Sequence, residues 1–284
     1  MTWLKNHRKA LTWVIGLLIV IIGAKLLEEP YKVFVQSIPT GKIFSPKAVF
    51  DAVPQILGKL PTTIGLTLLG ALFGLILGLL FAIVKIRRVP VLYRIQALFV
   101  SFLRGTPILV QLLLSYYGIP MLLRKINLEF GLDWNIDSVP AAVFVVTAFA
   151  FNEAAYASET IRAAIQSVSA GEIEAARSLG MTESQVYRRV IIPNAAVIAT
   201  PTLINSLIGL TKGTSLAFNA GITEMFYQAQ IISGNDYRYF ERYVAVSLIY
   251  WAISFLIENA GRAVENALAI KTPESNQVEL GGDR

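Results

Sequence analysis

The chain has 284 residues, 55% hydrophobic and 15% charged, a balance that excludes an ordinary soluble domain and fits a polytopic membrane protein. It contains no cysteine and one histidine, His7, which excludes a disulfide framework, a thiol nucleophile, a thiolate metal site and an imidazole metal cluster. The net charge of +6 comes without basic residues interleaved with aromatics, so membrane orientation accounts for it better than nucleic-acid binding.

Residues 1–10 are basic, and an apolar run from Leu11 to Leu27 follows, interrupted only by Lys25 near its end. No small-residue cleavage site comes after it, and the run can cross about 30 Å, so it is expected to be a retained anchor with a cytoplasmic N-terminus. Residues 28–60 carry Pro30, Pro39, Pro46 and Pro54 and read as an external segment with a short amphipathic helix near Pro46 to Leu57. Residues 1–59 are thus anchor plus external segment.

A second span is expected from Leu60 or Pro61 to Val84. Gly70, Gly74 and Gly78 recur every four residues along one helical face, which makes that face a packing stripe. Lys85, Arg87 and Arg88 mark a cytoplasmic turn before Pro90. A third span from near Val91 to near Leu123 is long for one crossing and holds Arg104, Gly105, Thr106 and Pro107 in its middle, where the helix should break. The segment from Arg124 to Ser138 reads as an external, interfacial loop. A fourth span descends from Val139 through Asn152, Glu153 and Tyr156 to Glu159 and Arg162. Glu153 falls about 21 Å below its start, at 1.5 Å per residue, and so is expected deep on the cytoplasmic side.

The stretch from Ser169 to Pro193 is polar and strongly coded for two short helices. Ser169 with Glu172, flanked by Val168 and Ile173, has the pattern of a capping box and staple, and Thr182 with Gln185, flanked by Met181 and Val186, repeats it. Gly180 is placed to end the first helix in a left-handed conformation, and Pro193 to end the second. A plain connector needs neither two caps nor a fixed corner, so this one is expected to dock a partner. A fifth span from about Asn194 to Leu210, an external stretch from Thr211 to Arg238, and a sixth span from about Tyr239 to Ile257 complete the pattern. Polar sequence from Glu258 onward leads into a cytoplasmic tail, 263–284. With this topology the cytoplasmic segments are net positive and the external ones balanced, in the positive-inside sense.

E-A-A-R-S-L-G (Glu174 to Gly180), followed by I-I-P, resembles the E-A-A loop of ABC importer permeases, with Ile192 standing where that signature has Leu before the proline. Three further blocks, R-G-T-P-I-L-V-Q-L (Arg104 to Leu112), N-E-A-A-Y-A-S-E-T-I-R-A-A-I-Q-S-V (Asn152 to Val168) and T-K-G-T-S-L (Thr211 to Leu216), resemble those of the polar amino-acid uptake branch of type I permeases. Gly213 departs from that pattern, in which an acidic residue is common after the lysine. The resemblance covers roughly Leu60 to Arg262. It implies an all-α polytopic membrane helical bundle, a type I ABC importer permease core of five spans with one extra N-terminal span, and a transport domain at 60–262.

The same resemblance implies that Glu174, Ala175, Ala176, Leu179, Gly180 and Pro193 form a coupling helix seated in a cytoplasmic ABC ATPase dimer. It further implies a second permease copy or homologue, an external substrate-binding protein and an amino-acid substrate. No G-x-x-x-x-G-K-[ST] run occurs, so ATP and Mg would be used by the partner ATPase, and this chain is expected to bind no cofactor or metal and to catalyse nothing itself.

Polar residues within the spans are the candidates for a substrate path. Arg104 reads as a pocket residue or as half of an ion pair, with Thr106 beside it. Glu153 reads as a gate or pocket acid. Lys212, Thr214 and Ser215 could meet a substrate or cap a helix. Glu159 and Arg162, three apart, read as a structural ion pair. A secondary transporter or channel remains the alternative, though it leaves the doubly coded corner without a purpose; a membrane enzyme lacks any catalytic constellation.

Overall fold

The computed structural model describes residues 28–33, 35–36 and 44–268, and the expected anchor from Leu11 to Leu27 lies outside them. Every regular element among these residues is helical. Helix α1 (Pro46–Leu57) starts where expected, with the Ser45 side chain accepting a hydrogen bond from the Ala48 N–H at 3.3 Å and Pro46 in the first turn, where its missing N–H costs nothing. Helix α2 (Leu60–Arg87) is followed by α3 (Leu92–Gly105), α4 (Ile108–Leu113), a π turn (Leu114–Gly118) and α5 (Ile119–Phe130). Helix α6 (Ala141–Gln166) leads to the corner, α7 (Ala170–Ser178) and α8 (Glu183–Val186). A π turn (Tyr187–Ile191) then joins α8 to α9 (Ile192–Gly213), and a 3₁₀ segment (Thr214–Ala220), α10 (Met225–Asp236) and α11 (Tyr239–Leu268) follow.

Among the described residues, four helical stretches are long and apolar enough to cross a membrane: Leu60–Arg87, Ala141–Gln166, Glu183–Ala220 and Tyr239–Leu268. A fifth, Leu92–Gly105 with Ile108–Phe130, is bent by 115°. The glycine stripe does what its spacing suggests. A methyl group on Gly70 would come 3.1 Å from Cβ of Phe149, one on Gly74 2.6 Å from Cβ of Glu153, and one on Gly78 2.8 Å from Cβ of Ala157. Glycines four apart therefore seat α2 directly on α6 residues four apart, with no room for any side chain between the backbones. Helix α11 meets α9 in the same way, with Gly261 against Ile204.

The structure corrects several expectations. The corner's second helix does not end at Pro193; helix runs from Glu183 to Ala220. Proline has no N–H and clashes with the carbonyl four residues back, and the wider π turn immediately before it takes up both defects without ending the helix. Ser169 sits at the start of α7 but its side chain makes no cap, and the Glu172 side chain, the other half of the expected box, accepts from the Asn194 side chain of α9 at 2.8 Å. The segment from Arg124 is not loop until Gly131, whose left-handed φ of +62° ends α5. The stretch after Thr211 is likewise mostly helical, and the last helix continues past Ile257 to Leu268.

Helix α1 is not a loose appendage. Val49, Ala52 and Ile56 join Met225, Ala229 and Ile232 of α10 and Ala245, Val246 and Ile249 of α11 in one apolar cluster. Charged groups close its edge: Glu241 accepts from the Ser45 N–H at 3.1 Å and pairs with Arg238, while Arg242 reaches the Ala48 carbonyl and Asp236.

Candidate functional site

The corner is built from local rules. The Gly180 N–H bonds the Arg177 carbonyl at 2.9 Å and the Met181 N–H bonds the Ala176 carbonyl at 3.2 Å, the paired bonds of a Schellman cap, with Gly180 at φ +79°. Two residues later Thr182 and Gln185 form the full capping box, at 2.9 and 3.4 Å. Arg177 crosses the turn to Glu183 with two hydrogen bonds. Ala176, Met181 and Val186 then pack with Ala164 and Val168 from the end of α6 and with Ile191, Ala195 and Ala199 leading into α9. The corner is thereby one rigid piece with the inner ends of α6 and α9. Of the residues expected to couple, Ala176 faces this cluster, while Glu174, Ala175 and Pro193 are exposed. Leu179 is 79% exposed at the apex, an apolar knob that nothing covers among the described residues.

The expected break lies at Thr106 and Pro107. The residue before a proline is driven from helical to extended backbone, and Thr106 has φ −119° and ψ 147°. Gln111, which the sequence reading did not single out, repairs the damage: its amide nitrogen donates to the Leu103 carbonyl at 2.6 Å and to the carbonyl and hydroxyl of Thr106, each at 3.0 Å. Asn152 of α6 in turn donates to the Gln111 oxygen at 3.0 Å. The Thr106 hydroxyl also donates to the Phe102 carbonyl, so its polar group serves the bend.

Arg104 is exposed and forms no ion pair among the described residues; its guanidinium lies over the Tyr156 ring, 5.6 Å from the centroid. Tyr156 stands one turn beyond Asn152 on α6, so the bend and Arg104 meet the same helical face. Glu153 faces elsewhere. It stands at the midpoint of the 26-residue α6. Its side chain borders a groove between α2, α6 and α9. No hydrogen bond or ion pair joins Arg104 and Glu153 among the described residues.

At the far end of α9, Lys212 is exposed, whereas Thr214 is fully buried and donates to the Thr211 carbonyl at 2.7 Å, a capping role that keeps it off any surface. Ser215 donates to the Lys212 carbonyl at 2.8 Å. The Glu159–Arg162 pair forms at 3.0 Å, and Lys85 from the end of α2 joins it, tying α2 to α6 a second time.

Sequence reading also passed over Glu224. It is fully buried between α9 and α11, caps α10 by accepting from the Tyr227 and Phe226 N–H groups at 2.7 and 2.9 Å, and accepts from the Tyr250 hydroxyl at 2.8 Å. Burial pushes this carboxyl above the ordinary carboxylate range. The Met225 N–H donates to the Thr63 hydroxyl at 3.3 Å beside this carboxylate, so one polar node binds α2, α10 and α11.

A bundle of membrane-length helices with a capped corner projecting an apolar knob is the architecture of a multi-pass membrane protein. Residues 70–270 match the model of the binding-protein-dependent transport system inner membrane component, and the chain belongs to that family. It is similar to the probable amino-acid permease protein YxeN of Bacillus subtilis (strain 168), 36% identical over 221 residues covering 78% of this chain and 94% of YxeN. The L-cystine transport system permease protein TcyL of the same organism is 37% identical over 227 residues, covering 80% of this chain and 92% of TcyL. Among solved structures, an amino acid ABC transporter crystallised with histidines matches with a TM-score of 0.64 at 35% identity, over 75% of this chain and 94% of that one.

Proposed function

We propose that the chain is the membrane subunit of an ATP-driven amino-acid import system. It pairs with a second copy or a homologue to form the path and receives its energy through residues 169–193 from a cytoplasmic ATPase dimer. ATP and Mg are used in that partner, and an external binding protein delivers the amino acid. The observation that carries the reading is the corner: Leu179 projects from a Schellman cap whose supporting cluster is continuous with α6 and α9. A push on the knob moves those two helices as rigid bodies, and they carry Glu153 and Ser206. The relatives' names supply the amino acid; the cluster of Lys85, Arg87, Arg88 and Arg94, with no acidic residue between them, supports a cytoplasmic placement for that turn and, by the alternation of spans, for the corner and both termini.

Arg104, Glu153, Lys212 and Ser215 remain the polar groups proposed for the path, with Thr106 holding the bend beside it. The test is co-purification with the ATPase and binding protein from the native operating membrane, followed by mass spectrometry of the retained ligand. An ATPase and an amino acid should be recovered, and Leu179→Asp should lose the ATPase while still inserting. Recovery of a well-folded permease with no ATPase would count against the proposal.

A further inference from the structure

The turn between α2 and α3 gathers positive charge that the neighbouring helices leave unanswered. Lys85, Arg87, Arg88 and Arg94 fall within ten residues, and no acidic residue occurs anywhere from Ala52 to Leu128. Lys85 is engaged by Glu159, which Arg162 also holds. Arg87, Arg88 and Arg94 are exposed and form no ion pair among the described residues. The backbone that carries them is fixed by its own hydrogen bonds. Arg88 takes a left-handed φ of +48° with its N–H on the Lys85 carbonyl at 3.4 Å, and the Leu92 N–H closes on the Pro90 carbonyl at 2.7 Å around Val91, at φ +66° and ψ −55°. These angles are the rare, strained form of a γ-turn, costly for a β-branched residue, and in it Val91 stands 72% exposed.

Val91 heads an apolar stripe. Ile95, Leu98 and Phe102 follow it along α3 at helical spacing and are all exposed, whereas Val100 and Leu103, on the opposite face, pack with Ala155 of α6. From Val91 to Phe102 the stripe runs about 16 Å at 1.5 Å per residue, close to half the roughly 30 Å hydrocarbon thickness of a bilayer. A surface that is cationic at one end and apolar for the depth of one leaflet matches a molecule that is anionic at one end and apolar for the same length. A soluble protein surface could answer the arginines but would leave the stripe bare. A second copy docked here about a two-fold axis would set arginines against arginines with no acid of these helices to separate them. We infer that the α2–α3 turn and its stripe hold an anionic phospholipid, with the phosphate on Arg87, Arg88 and Arg94 and an acyl chain along Val91, Ile95, Leu98 and Phe102. The inference goes beyond the import reading: it names a lipid partner and holds whatever solute the bundle carries.

The test places the purified permease–ATPase complex in nanodiscs made of equal parts dioleoylphosphatidylglycerol and dioleoylphosphatidylcholine, transfers it to mild detergent and measures the retained lipid by native mass spectrometry. Phosphatidylglycerol should be retained at least about tenfold over phosphatidylcholine, and the triple variant Arg87→Gln, Arg88→Gln, Arg94→Gln should lose that preference, since each arginine at a lipid surface contributes about fivefold. Leu98→Ser, which interrupts the stripe and leaves the arginines in place, should also lower phosphatidylglycerol retention severalfold. Arg262→Gln, which removes an exposed arginine of α11 that pairs with Glu258, should change nothing. A preference unchanged in the triple variant or absent from the parent, retention unchanged in Leu98→Ser, or an equal loss in Arg262→Gln overturns the inference. Should the triple variant not assemble, Arg94→Gln alone should lower the preference severalfold, and an unchanged preference overturns the inference equally. An excess of glycerol 1-phosphate, a headgroup without chains, should leave the lipid in place; displacement would mean a site for phosphate alone and overturns the role of the stripe. Ile95→Cys in the otherwise cysteine-free chain reads the other occupants: a disulfide with a second copy, or a cross-link to the ATPase, overturns the lipid assignment.

Discussion

Gly74 and Glu153 stand in direct contact, so closely that a methyl group on the glycine would lie 2.6 Å from Cβ of the glutamate. The contact joins the closely packed pair α2 and α6 to the groove that Glu153 borders. Gly74→Ala should cost about 1–3 kcal/mol through overpacking and displace the Glu153 side chain. Gly65, with nothing within 4 Å of its would-be methyl, is the internal control. Thermal unfolding of the purified complex should show a lower midpoint for Gly74→Ala and a midpoint for Gly65→Ala at or above that of the parent.

Gly180 holds the corner in the left-handed region, which a β-branched residue resists. Gly180→Val should cost about 1–2 kcal/mol locally and unseat the Schellman bonds at Ala176 and Arg177. ATPase co-purification should fall while membrane insertion persists; complex formation and transport at parental levels would exclude a docking role for this turn.

Gln111 repairs the break at Pro107. Gln111→Leu strips the Leu103 carbonyl and the Asn152 amide of their partner at one stroke, at about 1–3 kcal/mol for each group left buried and unsatisfied. A cysteine pair spanning the 115° bend should cross-link over a wider range of spacer lengths in this variant than in the parent.

Arg104 has no carboxylate partner among the described residues, so Arg104→Gln should assemble with the ATPase normally while transport drops severalfold. Full-rate transport by that variant would remove Arg104 from the path.

Glu224 links stability to pH. Its folded-state pKa is raised by burial, so its favourable contribution is complete below the ordinary carboxylate range and declines as pH rises through the raised value. The melting midpoint of the parent should therefore fall on going from mildly acidic to alkaline buffer. Glu224→Gln, which stays neutral throughout, should flatten that dependence.

Features that depend on spacing along one element could be read without coordinates. The glycine stripe, the helix from Pro46 to Leu57, the break at Pro107, the left-handed Gly180 and the Thr182 box each follow from backbone rules acting over a few residues. What escaped depends on which helices meet. Glu172 has the spacing of a capping residue, but Asn194 lies close enough to claim it. Pro193 has the look of a helix end until a π turn is allowed in front of it. Gln111, Glu224 and Tyr250 are ordinary polar residues in sequence; their weight comes from burial at junctions of three or four elements. Two faint signals were present: a glutamine four residues past a helix-breaking proline, and a single glutamate just before an apolar helix.

The central claim is that ATP hydrolysed by a partner moves α6 and α9 through the corner, and accessibility of the groove during turnover tests it most directly. The sequence has no cysteine, so Thr200→Cys in the groove and Leu179→Cys at the apex can be introduced singly. In proteoliposomes carrying the full complex, the account predicts that Leu179→Cys cross-links to the ATPase in every nucleotide state, while labelling of Thr200→Cys by a water-soluble maleimide changes at least severalfold between the ATP-bound and nucleotide-free states. Labelling of Thr200→Cys at one constant rate during active, ATP-dependent uptake would contradict coupling through this corner.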